Sequence, residues 1–344
     1  MTPVELSRTV LHAVRRAVDG GELSVTVPER AVVTPPGPGG CGDYATNIAL
    51  QLARPAGQPA LRVAEILRPH LVDAEGVEDV VVTGPGFLNI TLRAGADPAA
   101  RLVREVRELG SAYGHSELLA GQVVTLRVPY DVRAEVVADA LVRIVATQGG
   151  RVEVEHGEPV NLRPVPAPED PAPLGPDAAQ WALLHPAPHD RPRITADHLV
   201  QREANPLFRV RYAHARTRAL TRNAARLGFT AEPGDPGDPG DPGDPGDPGA
   251  PGDPARTEAG VLVAALADHP RILAAAATHR APDRLARHLV TVADAALPFL
   301  LTVLPRGEEK PSAAHRARLA LAEAAGTVLA GGLSLLGIDA PDHL

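Results

Sequence analysis

Residues 234 to 254 read GDPGDPGDPGDPGDPGAPGDP, a three-residue period that neither a helix nor a sheet accommodates. Proline at every third position removes a backbone donor and fixes φ, while glycine adds conformational freedom. Six aspartates with no cation among them repel one another along the tract. A Gly-x-Pro period suits a collagen triple helix only in long tracts contributed by three chains, so an extended, solvated, partly polyproline-like spacer is expected instead. The tract interrupts a region of helical pattern, and the expectation is a disordered Gly-Asp-Pro insert over residues 232–256 between two helices. Partner binding by the insert is the alternative.

That insert also changes how the charge is read. The formal net charge is -8, and six of those units belong to the tract, so the remainder of the chain is close to neutral. General nucleic-acid binding by an overall basic surface is excluded. With 344 residues there is room for two domains, and 36 prolines with 3% aromatics point to loops and small-side-chain helices packed by Ala, Leu and Val. The lone Cys41 excludes an internal disulfide and a multi-cysteine zinc site. No apolar run is read as a bilayer span, and the opening MTPVELSRTVLHAVRRAVDGG is an amphipathic helix of mixed charge, so a cytoplasmic protein is expected.

Hydrophobic periodicity then divides the chain. Residues 4–20 carry Val4, Leu6, Val10, Leu11, Val14 and Val18 at helical spacing, and ELSVTVPE reads as a strand. NIALQLARPAG, ALRVAEILRPHLV and PAARLVREVREL read as helices, with two strands in VEDVVVTGPGFLNITL around a Gly-Pro-Gly turn. Strand, helix and strand follow in QVVTLRVPY, RAEVVADALVRIVATQGG and RVEVEH, then a proline-rich stretch over 159–176. Beyond it DAAQWALLHP, ITADHLVQREANPLFRVRYAHARTRALTRNAARLG, GVLVAALADHPRILAAAATH, PDRLARHLVTVADAALPFLLTVL and AAHRARLALAEAAGTVLAGGLSLLG are helical.

One helix stands apart electrostatically. Leu207, Val210, Ala213, Thr217, Leu220, Ala224 and Leu227 make an apolar stripe, while Arg211, Arg218, Arg222 and Arg226 fall on the opposite side, bordered by Arg209, Tyr212 and Arg216. Between Arg202 and Arg226 there are seven arginines against one acid, Glu203. Charge on a solvated face is usually mixed in sign, whereas unmixed planar donors suit phosphate oxygens. Three readings stay open on the residues alone: an RNA-phosphate surface, a face for an acidic protein partner, and an ordinary solvated face.

The string NPLFRVRYAHAR resembles the signature that opens the helical DALR anticodon-binding domain of the arginyl-tRNA synthetase family. GDYATNIALQLAR with GPGFLNITL resembles the amino-terminal tRNA-contacting domain of those enzymes, and GGLSLLGIDAPDHL resembles their carboxyl terminus. The resemblance implies an α+β amino-terminal domain followed by a mostly α-helical DALR-type bundle. It assigns residues 1–118 to the amino-terminal-like domain, 119–173 to a vestigial catalytic remnant with a Pro-rich linker, and 174–344 to the anticodon-binding-like bundle. The family's active site uses HIGH-type and KMSKS-type motifs on a nucleotide-binding fold. Here VPYDV runs straight into RAEVVADAL with no HIGH-like residues, no KMSK-like string is present, and Lys310 is the only lysine.

The expectation is therefore a pseudoenzyme with that nucleotide-binding fold missing or vestigial: no catalytic residues, no cofactor, no metal, and tRNA as partner, with tRNA-Arg as the specific candidate. The alternatives are a protein-interaction module that has lost tRNA binding and a residual arginine-tRNA ligase. On the RNA reading the arginine face offers Arg209, Arg211, Arg216, Arg218, Arg222 and Arg226 to phosphates; the resemblance implies anticodon-stem and loop contacts at Asn205, Pro206, Tyr212, His214 and Arg216, and secondary tRNA contacts by Tyr44, Asn47, Phe87 and Asn89. The glycine-rich VVTPPGPGGCGDYATN lacks the GK[ST] ending of a phosphate loop and reads as a structural turn with Asp43 or Thr46 near the helix cap. The thirteen histidines are scattered, and Trp181 reads as core.

Overall fold

The computed structural model describes residues 3–34, 36–37, 40–74, 76–92, 98–237 and 254–344. Most of the expected Gly-Asp-Pro insert, 238–253, lies outside the described residues. Two compact units divide the chain, Met1–Arg101 and Leu102–Leu344.

The first unit is α+β. Helices α1 (Pro3–Asp19), α2 (Ile48–Ala56) and α3 (Ala60–Val72) accompany strands β1 (Val33–Thr34), β2 (Tyr44–Thr46), β3 (Val77–Thr83) and β4 (Phe87–Leu92). The sheet is antiparallel in the order β1-β2-β4-β3. Leu6, Val10 and Val14 of α1 meet Val63 and Leu67 of α3 and Leu88 and Ile90 of β4 in one core, so the helical spacing seen in the sequence is the buried face. The expected strand ELSVTVPE does not form. Val25 and Val27 pack half-buried on the core, but among the described residues no strand pairs with their backbone groups, and Pro28 interrupts the run. The glycine-rich turn is structural: Thr46 Oγ1 accepts from Ile48 N at 3.3 Å, Asp43 Oδ2 accepts from Leu92 N at 2.7 Å, and Gly42, at φ 77°, leaves no room for a Cβ beside the Ile90 carbonyl.

The second unit takes in the end of α4 (Pro98–Leu109), a β–α–β segment and a helical bundle. β5 (Val123–Val128) and β6 (Arg151–His156) pair in parallel through the crossover helix α5 (Val132–Ala146), whose cap Asp131 accepts from Ala134 N. The segment 119–173 is built into this unit: α5 packs on α6 (Pro176–Leu184), α8 (Pro254–Thr278) and α9 (Pro282–Phe299). Its anchor is Arg133, fully buried, whose five guanidinium donors reach the carbonyls of Val165, Leu183, Pro186, Ala187 and Asp190 at 2.7–3.0 Å. Helices α7 (Pro206–Arg226), α9 and α10 (Ala313–Leu335) close the bundle. They approach closely where Gly326 faces Thr217 and Gly332 faces Leu289, since a Cβ at either glycine would come within 2.4 Å of those side chains. Trp181 is fully buried in the core of this unit.

Three expectations need adjustment in this unit. Residues 194–205 are not part of the arginine-rich helix, because Pro206 pushes the preceding residue out of the helical region and leaves Asn205 extended at φ -90°, ψ 110°. The described ends of the insert are anchored: Arg256 pairs with Asp235 at 2.8 Å, and Arg318 Nε donates to the Pro236 carbonyl at 2.7 Å. Finally, Arg256–Thr278 and Pro282–Thr302 are long and apolar enough by length and composition to cross a bilayer, contrary to the reading that no run is; they are 44% and 56% buried within the unit.

Candidate nucleic-acid interface

The arginine-rich helix α7 begins on a built cap. Asn205 Oδ1 accepts from Leu207 N at 3.1 Å, its amide donates to the carbonyls of His198 and Val200 at 2.8 and 2.9 Å, and Pro206 takes the first helical position, where its missing N–H costs nothing. Asn205 is 7% exposed and its side chain is spent on backbone. His214 is buried too. Its Nδ1 donates to the Pro341 carbonyl at 3.1 Å, and burial, above all, holds its pKa below the usual imidazole value. Both residues therefore shape the helix and the chain end that packs on it, and His214 also lines a hollow beside α7.

The arginines separate into two flanks rather than one unopposed stripe. On one flank Arg209 pairs with Asp294 of α9 at 3.2 Å, with Arg216 one turn beyond Tyr212. On the other, Arg211 pairs with Asp177 of α6 at 3.3 Å, Arg218 with Asp342 at 3.0 Å, and Arg222 donates to the Asp342 carbonyl and contacts His343 Nδ1, both at 3.3 Å. Arg216 and Arg226 have no hydrogen bond or ion pair among the described residues; Arg226 is exposed and Arg216 half-buried. Leu227, expected on the apolar stripe, is 52% exposed because the helix ends at Arg226.

Three hollows border α7. The largest, about 680 Å³, lies between the end of α4, α7 and α10, with Arg107 and Arg218 balanced by Glu323 and Asp342. One of about 230 Å³ lies at Asp177, Asn205 and Arg211. One of about 270 Å³ is lined by Glu203, Phe208, Arg209, Tyr212, Arg216 and Leu301 among others. Tyr212 is 37% exposed and stacks on Phe208 with centroids 5.5 Å apart. A ring face beside two guanidinium groups is the chemistry that holds an unpaired base next to its phosphate. Leu301, 63% exposed, was not singled out in the sequence, and nothing in its local pattern distinguishes it from a core leucine.

The secondary candidates lie in the first unit. Asn89 is buried, donating to Thr83 Oγ1 at 2.6 Å and the Val81 carbonyl at 3.3 Å, and it bridges β4 to β3. Tyr44 sits half-buried in β2, its hydroxyl pKa raised by burial and then by Asp43. Asn47 accepts from Gln51 at 2.9 Å, and Phe87 is 40% exposed at the start of β4. The structure thus exposes Phe87, leaves Tyr44 and Asn47 half-buried, and commits Asn89 to the sheet. Among the described residues no group of three or more His, Cys, Asp or Glu is arranged to hold a metal.

Comparison with known proteins gives two domain matches. Residues 5–92 match the arginyl tRNA synthetase N-terminal domain and residues 210–344 the DALR anticodon binding domain. An arginine–tRNA ligase of Renibacterium salmoninarum is 41% identical over 169 residues, 45% of this chain and 30% of the ligase. One of Frankia alni is 37% identical over 166 residues, with the same shares. The match therefore spans less than a third of these relatives. The structure of Thermus thermophilus arginyl-tRNA synthetase superposes with a TM-score of 0.64 at 15% identity, covering 100% of each chain, a likeness of fold. The expectation that the chain is no enzyme is overturned: the relatives it matches are named arginine–tRNA ligases, and motif strings missing from this sequence do not establish that catalysis has been lost.

Proposed function

Because the chain is related to the arginyl-tRNA synthetases and carries their DALR anticodon-binding domain, we propose that it binds tRNA, and tRNA-Arg in particular, through α7 and the surface beside it. The observation that carries this reading is the hollow at Tyr212, where an exposed aromatic face and the guanidinium groups of Arg209 and Arg216 stand together on the domain matched to anticodon binding. Tyr212 stacks on an unpaired base, Arg216 and Arg226 meet phosphates directly, and Arg218 and Arg222 do so once the chain end yields. Arg209 and Arg211 orient α7 against α9 and α6 through their aspartates. The exposed Phe87 and the half-buried Tyr44 and Asn47 of the first unit are the positions left for a second tRNA contact. A cytoplasmic location accompanies this reading.

Crosslinking in cells followed by sequencing of the attached RNA tests it. Recovery of tRNA, with crosslinks lost in Tyr212→Ala, is the expected result. Recovery of no RNA, or of RNA without enrichment of tRNA, counts against it and moves an acidic protein partner forward.

A further inference from the structure

The β–α–β segment of the second unit leaves one sheet edge uncovered. On the far side of β5 the edge is occupied: Asn161 and Leu162 donate to the Arg127 carbonyl, Arg127 N donates to Asn161 Oδ1, and the Asn161 amide reaches the Thr125 carbonyl. On the far side of β6 no strand is paired among the described residues, and every residue of β6 except the half-buried Val152 is exposed. Arg151 N bonds back to Gln122, across the β5 side. In a parallel ladder alternate residues serve the same neighbour, so Val152, Val154 and His156 aim their N–H and C=O groups outward. An open edge of this kind is a template for another strand.

The side chains say which strand fits. Arg151, Glu153 and Glu155 share one face, where Arg151 pairs with Glu153 and Glu155 with Arg127 at 3.4 Å. Val152, Val154 and His156 share the other, where His156 contacts Glu135 of α5 and stacks on Tyr130, which is 88% exposed. Now let β6 meet an antiparallel copy of itself about a two-fold axis through Glu153. Arg151 then stands opposite Glu155 twice, Val152 opposite Val154 twice, and the outward backbone groups of residues 152 and 154 face one another for ladder bonds. Moving the register two residues toward His156 puts Glu153 against Glu155 twice, where this register has the one Glu153 pair on the axis. Moving it two residues the other way pairs only residues 151–153 of β6 with one another and sets Val154 against Gly150, outside the strand. A one-residue shift sets outward groups against inward ones. We infer that β6 is a self-association edge, through which a second copy of this chain extends the two-stranded sheet to four strands in that register.

The same geometry fixes the test. Residue 153 meets its own copy in a non-hydrogen-bonded pair, where Cα atoms are about 4.5 Å apart, within disulfide range. In a Cys41→Ser background, Glu153→Cys is expected to form a disulfide dimer on mild oxidation much faster than Asp139→Cys on the exposed side of α5. Sedimentation equilibrium of the nuclease-treated full chain, so that RNA-bridged species do not count, is expected to show monomer and dimer. Arg151→Glu should weaken the dimer at least about tenfold, and adding Glu155→Arg should recover most of it. Glu153→Gln, which removes the repulsion on the axis, should tighten it a few-fold. Trp181 emission reports that each variant keeps its fold. A chain that stays monomeric through the micromolar range, crosslinking at 153 no faster than at 139, or charge variants that leave association unchanged overturns the inference.

Discussion

Replacing Arg133 by methionine should destabilise the second unit substantially, although a methionine of similar length avoids the cost of burying a charge. Buried ion pairs can often be exchanged for apolar groups at no loss, because both partners are removed together. Arg133 differs in that its partners are the backbone carbonyls of Val165, Leu183, Pro186, Ala187 and Asp190, which no side-chain change removes. Burial pulls the guanidinium pKa down, opposed by Asp131, Asp190 and Asp283, and the group stays charged throughout the accessible pH range. A hydrogen bond to a charged group is worth about 1.5–3 kcal/mol, and five on one rigid group do not add. Part of the loss is recovered where water reaches the loop, so about 3–5 kcal/mol is expected. For a unit of this size that lowers Tm by about 10 °C. Trp181 is the only tryptophan and lies in the segment that Arg133 holds, so its emission follows the transition directly. Arg133→Lys, with three donors in place of five, should fall between wild type and Arg133→Met. Equal or higher stability of the methionine variant would refute the reasoning.

Two further outcomes follow from other groups. His269 and His288 are buried beside each other, ring centroids 5.3 Å apart, with His269 Nδ1 and His288 Nε2 unpartnered; burial lowers their pKa to about 3 and about 4. The unfolded chain therefore binds more protons below about pH 6.5, and stability should fall as pH drops from there toward 4, by roughly 2 kcal/mol per histidine at pH 5. The loss of Tm between pH 7 and 5 should shrink in His269→Gln with His288→Asn, and an equal loss in that variant would count against the assignment. On the proposed reading the Asp342 carboxylate, whose pKa is lowered chiefly by its hydrogen bond from Arg218, competes with phosphate for Arg218, while Arg222 holds the main-chain carbonyl. Asp342→Asn should raise tRNA affinity a few-fold in a filter-binding assay, and unchanged or weaker binding would show that the carboxylate does not mask Arg218.

Much of the fold was legible because its signals are local. The apolar spacing in α1, the turn between β3 and β4, and the Asn205-Pro206 start of α7 each lie within a few residues of what they determine. The candidate interface was less legible because its decisive contacts are remote. Helical phase placed Arg211, Arg218 and Arg222 on one side correctly, but the acids that meet them, Asp177 and Asp342, come from other elements, the latter 124 residues away from Arg218. The same holds for His214, whose burial depends on Pro341, and for Arg133, whose partners span a proline-rich stretch without periodicity. ELSVTVPE failed for the complementary reason: alternation predicts a strand only where another edge is free to pair.

The proposed function requires that α7 meet the tRNA backbone. The direct measurement is tRNA affinity of the full chain across a salt series, for wild type and for Arg216→Glu, Arg222→Glu and Arg226→Glu combined. Log K is expected to fall linearly with log salt, and the triple variant should lose affinity at every salt while its slope drops by about 2, as for the loss of two to three phosphate contacts. A wild type whose tRNA binding ignores salt, or a triple variant that binds with the same slope and strength, would contradict the account.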